Sequence, residues 1–182
     1  MNEIKRLLRF FTPDDYDKEE AFLSEMSRNG WHFKKLKFLI YEFEKGQPID
    51  YIYKLDYKRN IEIDKDNYFT MYKDCGWENV YEFRILGGIW EYFRKRATSG
   101  EEQLFTDNES RIDLLVRIRR GYVFIALFFL GINAANFANI MGLFIRGYFS
   151  SITFIFIAYA LIIFLYSKIF IRISMKINKL RR

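Results

Sequence analysis

The chain is expected to be α+β. Its predicted form is a ferredoxin-like cytosolic domain of order β-αββ-αββ, one antiparallel sheet with two helices on one face, followed by two transmembrane α-helices. Three observations predict this. Strand-like alternation and helix-like spacing take turns through the first 96 residues. The tripeptide Asn29-Gly30-Trp31 is echoed 46 residues later by Cys75-Gly76-Trp77. Beyond Asp113 acidic residues stop altogether, and two long uncharged stretches follow.

The elements follow in order. Ile4 to Phe11 reads as a basic-apolar strand, broken by Thr12-Pro13-Asp14-Asp15, residues that also suit a helix start. A helix from about Asp17 to Arg28 places Ala21, Phe22, Glu25 and Met26 at helical spacing, and Asn29-Gly30 tolerates the left-handed turn that ends it. Trp31 opens a strand region continuing to Lys45, and Gly46-Gln47-Pro48 turns the chain. Tyr51, Tyr53, Leu55 and Tyr57 then alternate with Ile52, Lys54, Asp56 and Lys58, the period of a strand with one covered face. Asp64 to Asp74 repeats the helix, with Tyr68, Phe69 and Tyr72 on one side. A strand from Trp77 to Arg84, a Gly87-Gly88 turn and a strand from Ile89 to Arg96 complete the second half. The segments Tyr53 to Arg59 and Trp90 to Arg96 read as matching hairpin ends.

The organisation expected is a domain over residues 1–96, a linker and juxtamembrane helix over 97–120, a hairpin over 121–167 and a basic tail over 168–182. Thr98-Ser99-Gly100-Glu101-Glu102 is a polar link, and Thr106-Asp107-Asn108-Glu109 has capping-box spacing. Nothing breaks a helix between there and Ile145 except the weakening Gly121, so a continuous helix and a bend at Gly121 are both open. Gly121 to Ile145 and Gly147 to Ser167 are 25 and 21 residues of uncharged chain separated by Arg146. About 20 apolar residues of helix cross a bilayer core.

Charge distribution sets the expected orientation. The net charge is +6, yet residues 1–116 carry 19 Lys or Arg against 23 Asp or Glu, while residues 117–182 carry ten cations and no anion. The excess lies beside the spans rather than on a soluble face, so no direct nucleic-acid partner is expected. Arg111, Arg117, Arg119 and Arg120 precede the first span, and Lys168, Arg172, Lys176, Lys179, Arg181 and Arg182 follow the second. Short cation-rich flanks stay inside. The expectation is a multi-pass protein of the bacterial cytoplasmic membrane with both termini cytoplasmic, anchored in the phospholipid bilayer. Tyr122, Tyr148 and Tyr166 sit where an interfacial aromatic belt would.

Three candidate interaction sets emerge. Tyr51, Tyr53 and Tyr57 form a candidate partner surface if their sheet face lacks a cover, although such a stripe is more often core. Asn133, Asn136 and Asn139, with Ala134, Ala138 and Gly142, form a candidate helix-packing stripe within the hairpin, between protomers of a homo-oligomer, or against another membrane protein. Lys168, Arg172, Lys176 and Lys179 share one helical face and form a candidate lipid-contacting basic stripe, with a plain stop-transfer anchor as the alternative.

Groups for catalysis are sparse. His32 is the only histidine and Cys75 the only cysteine; no phosphate loop, nucleophile elbow or metal-spaced cluster occurs. No catalytic, cofactor-binding or metal-binding residue is expected, and the chain is expected not to be an enzyme.

An ordered set of segments carries a resemblance. Phe10-Phe11, Asn29-Gly30-Trp31, Tyr41-Glu42-Phe43-Glu44, Tyr51 to Asp56, Cys75-Gly76-Trp77, Trp90 to Lys95 and Leu104 to Arg111 together resemble the bacterial domain-of-unknown-function family 2812, over about residues 4–118. The resemblance implies a setting near PadR-type transcriptional regulators and supplies no catalytic site. The function expected is a membrane-anchored, non-enzymatic regulatory or sensory module whose cytosolic domain binds a protein partner such as a PadR-type regulator. The alternative is an accessory subunit of a membrane transporter complex.

Overall fold

The computed structural model describes residues 3–58, 65–85, 88–97, 108–146 and 149–181. Six strands and four helices follow in the order β1 (Ile4–Leu8), α1 (Tyr16–Arg28), β2 (Trp31–Lys37), β3 (Ile40–Lys45), β4 (Tyr51–Lys58), α2 (Lys65–Asp74), β5 (Glu78–Ile85), β6 (Gly88–Arg96), α3 (Asn108–Ile145) and α4 (Phe149–Leu180). A 3₁₀ turn, Pro13–Asp15, leads into α1. The class is mixed α+β, but the single sheet expected from the sequence is not found: there are two antiparallel three-stranded sheets, β1-β3-β2 and β4-β6-β5.

The difference begins at Phe38. The region expected to run as one strand to Lys45 folds back on itself as the β2–β3 hairpin, with Lys37 opposite Ile40. Phe38 adopts φ 58°, the one positive φ on a non-glycine residue among those described. A side chain in that conformation costs about 1–3 kcal/mol, so Gly or Asn is the usual marker, and neither is present.

With that hairpin in place the internal echo becomes a repeat of topology. Each half is a β-α-β-β unit in which the first strand pairs with the third and the third with the second. Gly30 and Gly76 occupy equivalent helix-to-strand turns, with φ of 76° and 80°. The strands that follow them each carry a register shift, between Phe33 and Lys35 and between Asn79 and Tyr81. The matching of Tyr53–Arg59 with Trp90–Arg96 is therefore corrected. Tyr53–Lys58 and Ile89–Arg94 are neighbours in one ladder, Tyr57 opposite Trp90 and Leu55 opposite Tyr92, and Arg59 lies outside the described residues.

The sheets meet through side chains rather than through a ladder. Phe33 of β2 packs on Tyr81 and Tyr92, and the Tyr81 hydroxyl donates to the Leu36 carbonyl at 2.7 Å. Leu23 and Met26 of α1 fill the space beside them. The second sheet is covered on both faces. Tyr53, Leu55, Tyr57, Trp90 and Tyr92 point into the main core, while Phe93 receives Tyr72 of α2, stacked at 4.0 Å. The two helices thus lie on opposite sides of that sheet, not on one face as expected.

Strand β4 is an edge strand whose free amides are capped by α1. The Tyr51, Tyr53 and Leu55 N–H groups donate to Ser27 Oγ, Ser24 Oγ and Glu20 Oε1 at 3.2, 3.1 and 2.9 Å. Positions 20, 24 and 27 share a helix face, and positions 51, 53 and 55 share a strand edge, so the two periods match over this length. Capping closes an edge that would otherwise pair with another chain.

Helices α3 and α4 belong to this core at one end and leave it at the other. Helix α3 is unbroken through Gly121. Leu114, Leu115 and Ile118 of α3 and Ile173 and Ile177 of α4 are buried with the sheet residues. Farther along, the two helices stay paired, Tyr122 against Tyr166 at 5.1 Å, and turn their apolar side chains outward. Among the described residues one segment, Ile157–Leu180, is long and apolar enough to cross a membrane, with 6% of its apolar window buried. The linker 98–102, the Thr106-Asp107 cap, Gly87 and Tyr148 lie outside the described residues, as do the side chains of Asn133 and Ala138.

Candidate functional site at the domain–helix junction

Two sets of charged side chains and one close packing contact fasten the helix pair to the domain. The first is centred on Asp56, buried on β4. Its Oδ2 accepts from the Tyr68 and Tyr72 hydroxyls of α2 at 3.1 and 3.2 Å. Its Oδ1 accepts from the Tyr57 amide at 2.9 Å and from the Arg117 guanidinium of α3 at 2.5 Å. Arg117 Nε also donates to the Tyr57 carbonyl at 2.9 Å, so one arginine holds α3 to both the side chain and the backbone of β4. Burial is the main cause that raises the Tyr68 and Tyr72 phenols above their ordinary value, and the Asp56 carboxylate adds to it.

The second set joins α4 to the turn before α1. Asp14 is buried, with Oδ2 2.9 Å from Arg172 Nε, and Arg172 also reaches Asp15 at 3.1 Å. Asp15 is tied to its own turn by the Thr12 hydroxyl at 2.9 Å and by Lys18 at 2.7 Å. Lys176, one turn on from Arg172, donates to the Asp14 carbonyl and to Asp17 at 2.8 and 3.0 Å and lies over the Tyr16 ring.

The third feature is a close approach. A Cβ placed on Gly121 would fall on the Tyr57 hydroxyl. Glycine here is required by the seating of Tyr57 against α3. Between these contacts lies a cleft of about 250 Å³, walled by Tyr16, Glu20, Lys54, Arg111, Arg117 and Lys179 among others. Lys54 and Glu20 face each other across 3.1 Å inside it. Burial pushes the Tyr16 phenol up to about 12, helped by the Glu20 and Asp17 charges.

A further polar cluster lies in the core away from the junction. Glu19 Oε1 accepts from the Tyr41 hydroxyl at 2.6 Å and the Tyr92 hydroxyl at 2.8 Å, bridging the two sheets. Burial raises the Glu19 carboxyl, and the two phenols pull it back part of the way.

The residues singled out from the sequence fall as follows. Tyr53 and Tyr57 are buried and Tyr51 is half-buried, so they form no exposed partner surface; α1, the first sheet and α3 cover that face of β4. The proposed lipid-contacting stripe is divided. Arg172 and Lys176 are engaged with Asp14, Asp15 and Asp17, while Lys168 and Lys179 are exposed. Asn136 and Asn139 are exposed on α3 and, among the described residues, bond along their own helix, to the Ile132 carbonyl and to Asn136 Oδ1. Ala134 is likewise exposed and Gly142 is half-buried. His32 is held by the Gln47 carbonyl at 2.9 Å, and Cys75 is exposed at the end of α2. No group of three or more metal-ligating side chains occurs among the described residues.

Sequence reasoning missed Asp14, Asp56 and Arg117. One signal existed: the i,i+4 cations Arg172 and Lys176 need countercharge, and the densest short acidic run near a helix start is Asp14, Asp15 and Asp17. For Asp56 and Arg117 no comparable pattern marks the pairing.

In comparison with known proteins, no curated protein and no solved structure matches the chain significantly. A family model does match, over residues 15–127, a span that takes in α1, strands β2 to β6 and the part of α3 that carries Arg117 and Gly121, and leaves out β1. The chain belongs to that family, described as protein of unknown function DUF2812.

Proposed function

We propose that this chain is a membrane-anchored, non-enzymatic regulatory or sensory module. In this reading α3 and α4 cross the cytoplasmic membrane as a hairpin from about residues 121 to 167, with both termini inside. The cytosolic domain binds a protein partner, and a PadR-type transcriptional regulator is the first candidate. One observation carries the reading. Both helices run without a break from an outward-facing apolar pair into the core of the α+β domain, where Ile118, Ile173 and Ile177 are buried and Arg117 and Arg172 are ion-paired. A tilt or rotation of the hairpin would have to move β4 and the turn before α1 with it.

The outward-facing Asn136 and Asn139 favour a second reading, in which the hairpin packs against other membrane helices as an accessory subunit of a transporter complex or as a homo-oligomer. A comparative pull-down from native membranes separates the two. One bait is the full chain, the other the same chain with residues 122–166 replaced by an unrelated apolar hairpin of equal length. Recovery of a transcription factor with both baits supports the regulatory reading. Recovery of membrane subunits with the native hairpin alone contradicts it and supports the accessory subunit.

A further inference from the structure

We propose that the tip of the β2–β3 hairpin is a second membrane contact, a cationic-aromatic foot that rests in the anionic headgroup layer of the cytosolic leaflet. This rests on the proposed membrane hairpin and adds to it a surface of the folded domain.

The foot is a cluster of exposed apolar side chains at one corner of the first sheet. Phe38 is 80% exposed at the turn itself, and Leu8 and Phe10 are 73% and 70% exposed. Leu8 pairs directly with Ile40, also exposed, and the Arg9 amide donates to the Leu39 carbonyl, so the two segments form one surface. The positive φ of Phe38 makes the choice of residue notable, because a glycine there would relieve strain and a polar residue would suit water. Charge points the same way. Residues 8–13 and 35–41 contain Arg9, Lys35 and Lys37 and no carboxylate. Lys35 is paired with Glu42, while Arg9, its guanidinium over the Phe22 ring, and Lys37 are exposed and next in sequence to Phe10 and Phe38. Aromatic rings flanked by cations suit a headgroup layer bearing negative charge.

Chain directions place this corner at the membrane end of the domain. Helix α3 contacts β4 in step, with Arg117 and Gly121 at Asp56 and Tyr57, so the β4 end nearest the span is Tyr57–Lys58. Helix α1 runs opposite to β4, Ser27 at Tyr51 and Glu20 at Leu55, so α1 starts near the membrane and ends far from it. Strand β2 returns from the far turn at Gly30, which brings Lys37 and Phe38 back to the near end. Arg172, which holds the segment just after Phe10 and Phe11, lies five residues beyond Ser167, about 8 Å of helix. The headgroup layer is itself about 5–8 Å deep on each side. By the same path Cys75 lies at the far end, after α2.

The test uses the full chain in lipid nanodiscs containing anionic and zwitterionic lipids, with an environment-sensitive fluorophore on one thiol. The three labelled sites are Cys75 in the native chain, and Phe38→Cys and Phe128→Cys in a Cys75→Ser background. Headgroup- and acyl-level lipid quenchers report depth. The expected result is that the Phe38 label is quenched at least twofold more by the headgroup quencher than the Cys75 label. Adding Arg9→Gln and Lys37→Gln, or omitting anionic lipid, should reduce that difference. If the Phe128 label is in hydrocarbon and the Phe38 label is as wet as the Cys75 label, the foot is refuted and the membrane hairpin stands. If the Phe128 label is also wet, both fail together.

Discussion

Gly121 shows how much a single position can decide. In the sequence it reads as a weak point in a long helix; in the fold it is the notch that admits the Tyr57 phenol. Gly121→Ala is expected to destabilise the full chain by about 1–3 kcal/mol through overpacking, despite the better helix propensity of alanine. Because the atom in the way is the hydroxyl, adding Tyr57→Phe should recover part of that loss. Urea unfolding of the four chains of this double-mutant cycle measures it, and independent, additive effects would contradict the contact. Glu19 supplies a second residue-level prediction. Its folded carboxyl is raised above the ordinary value of 4.5 by burial. The folded chain therefore holds the proton more tightly than the unfolded chain does. The stability this contributes is complete below the unfolded value and is lost as pH rises through the elevated folded value. Glu19→Gln should flatten the decline of stability that begins above the ordinary value of 4.5. An unchanged pH profile would contradict the assignment. At this scale little was legible. Alternation separated Tyr53 and Tyr57 from Lys54 and Asp56 correctly, yet it carried no information on what would cover the tyrosine face.

At the scale of elements, most boundaries were written in turn and cap chemistry. Gly30 and Gly76 mark the ends of α1 and α2 because each sits in the left-handed conformation. The β2–β3 hairpin went unread because Phe38 occupies the position where such a residue is the usual signal. The seal on β4 was equally hidden, since Ser24 and Ser27 look like ordinary solvent-facing serines of an amphipathic helix. Ser27 is fully buried and its hydroxyl lies 3.0 Å from the Ile49 carbonyl as well as accepting from the Tyr51 amide. Ser27→Val should cost about 1 kcal/mol, because it removes the hydroxyl both groups share and leaves them only the 3.0 Å hydrogen bond from the Tyr51 amide to the Ile49 carbonyl. Ser24→Ala should cost less, as Ser24 is only half-buried. Equal and negligible losses in thermal unfolding would show that the edge is solvated rather than sealed.

Across the whole molecule, the regions distinguished along the sequence share one core. The stretch without acidic residues after Asp113 announced a change of environment, and the outward apolar faces of α3 and α4 agree with that. What periodicity could not convey is that residues 112–118 and 169–180 serve the domain as well as the helix pair. Leu115, Ile118, Ile173 and Ile177 pack among sheet residues, and the cations nearest them meet Asp14, Asp15, Asp17 and Asp56 rather than water. Breaking one such pair leaves a buried carboxylate such as Asp14 without its countercharge. The coupling therefore has a direct thermodynamic signature. Hydrogen exchange on the full chain in lipid nanodiscs measures the opening free energy of each segment. If the helices and domain act as one body, amides of residues 114–121 and 172–177 will exchange within about tenfold of the slowest amides in β4 and β6. Exchange about a thousandfold faster in those two segments, with the sheets still protected, would show the helix pair hinged to the domain and would contradict the account.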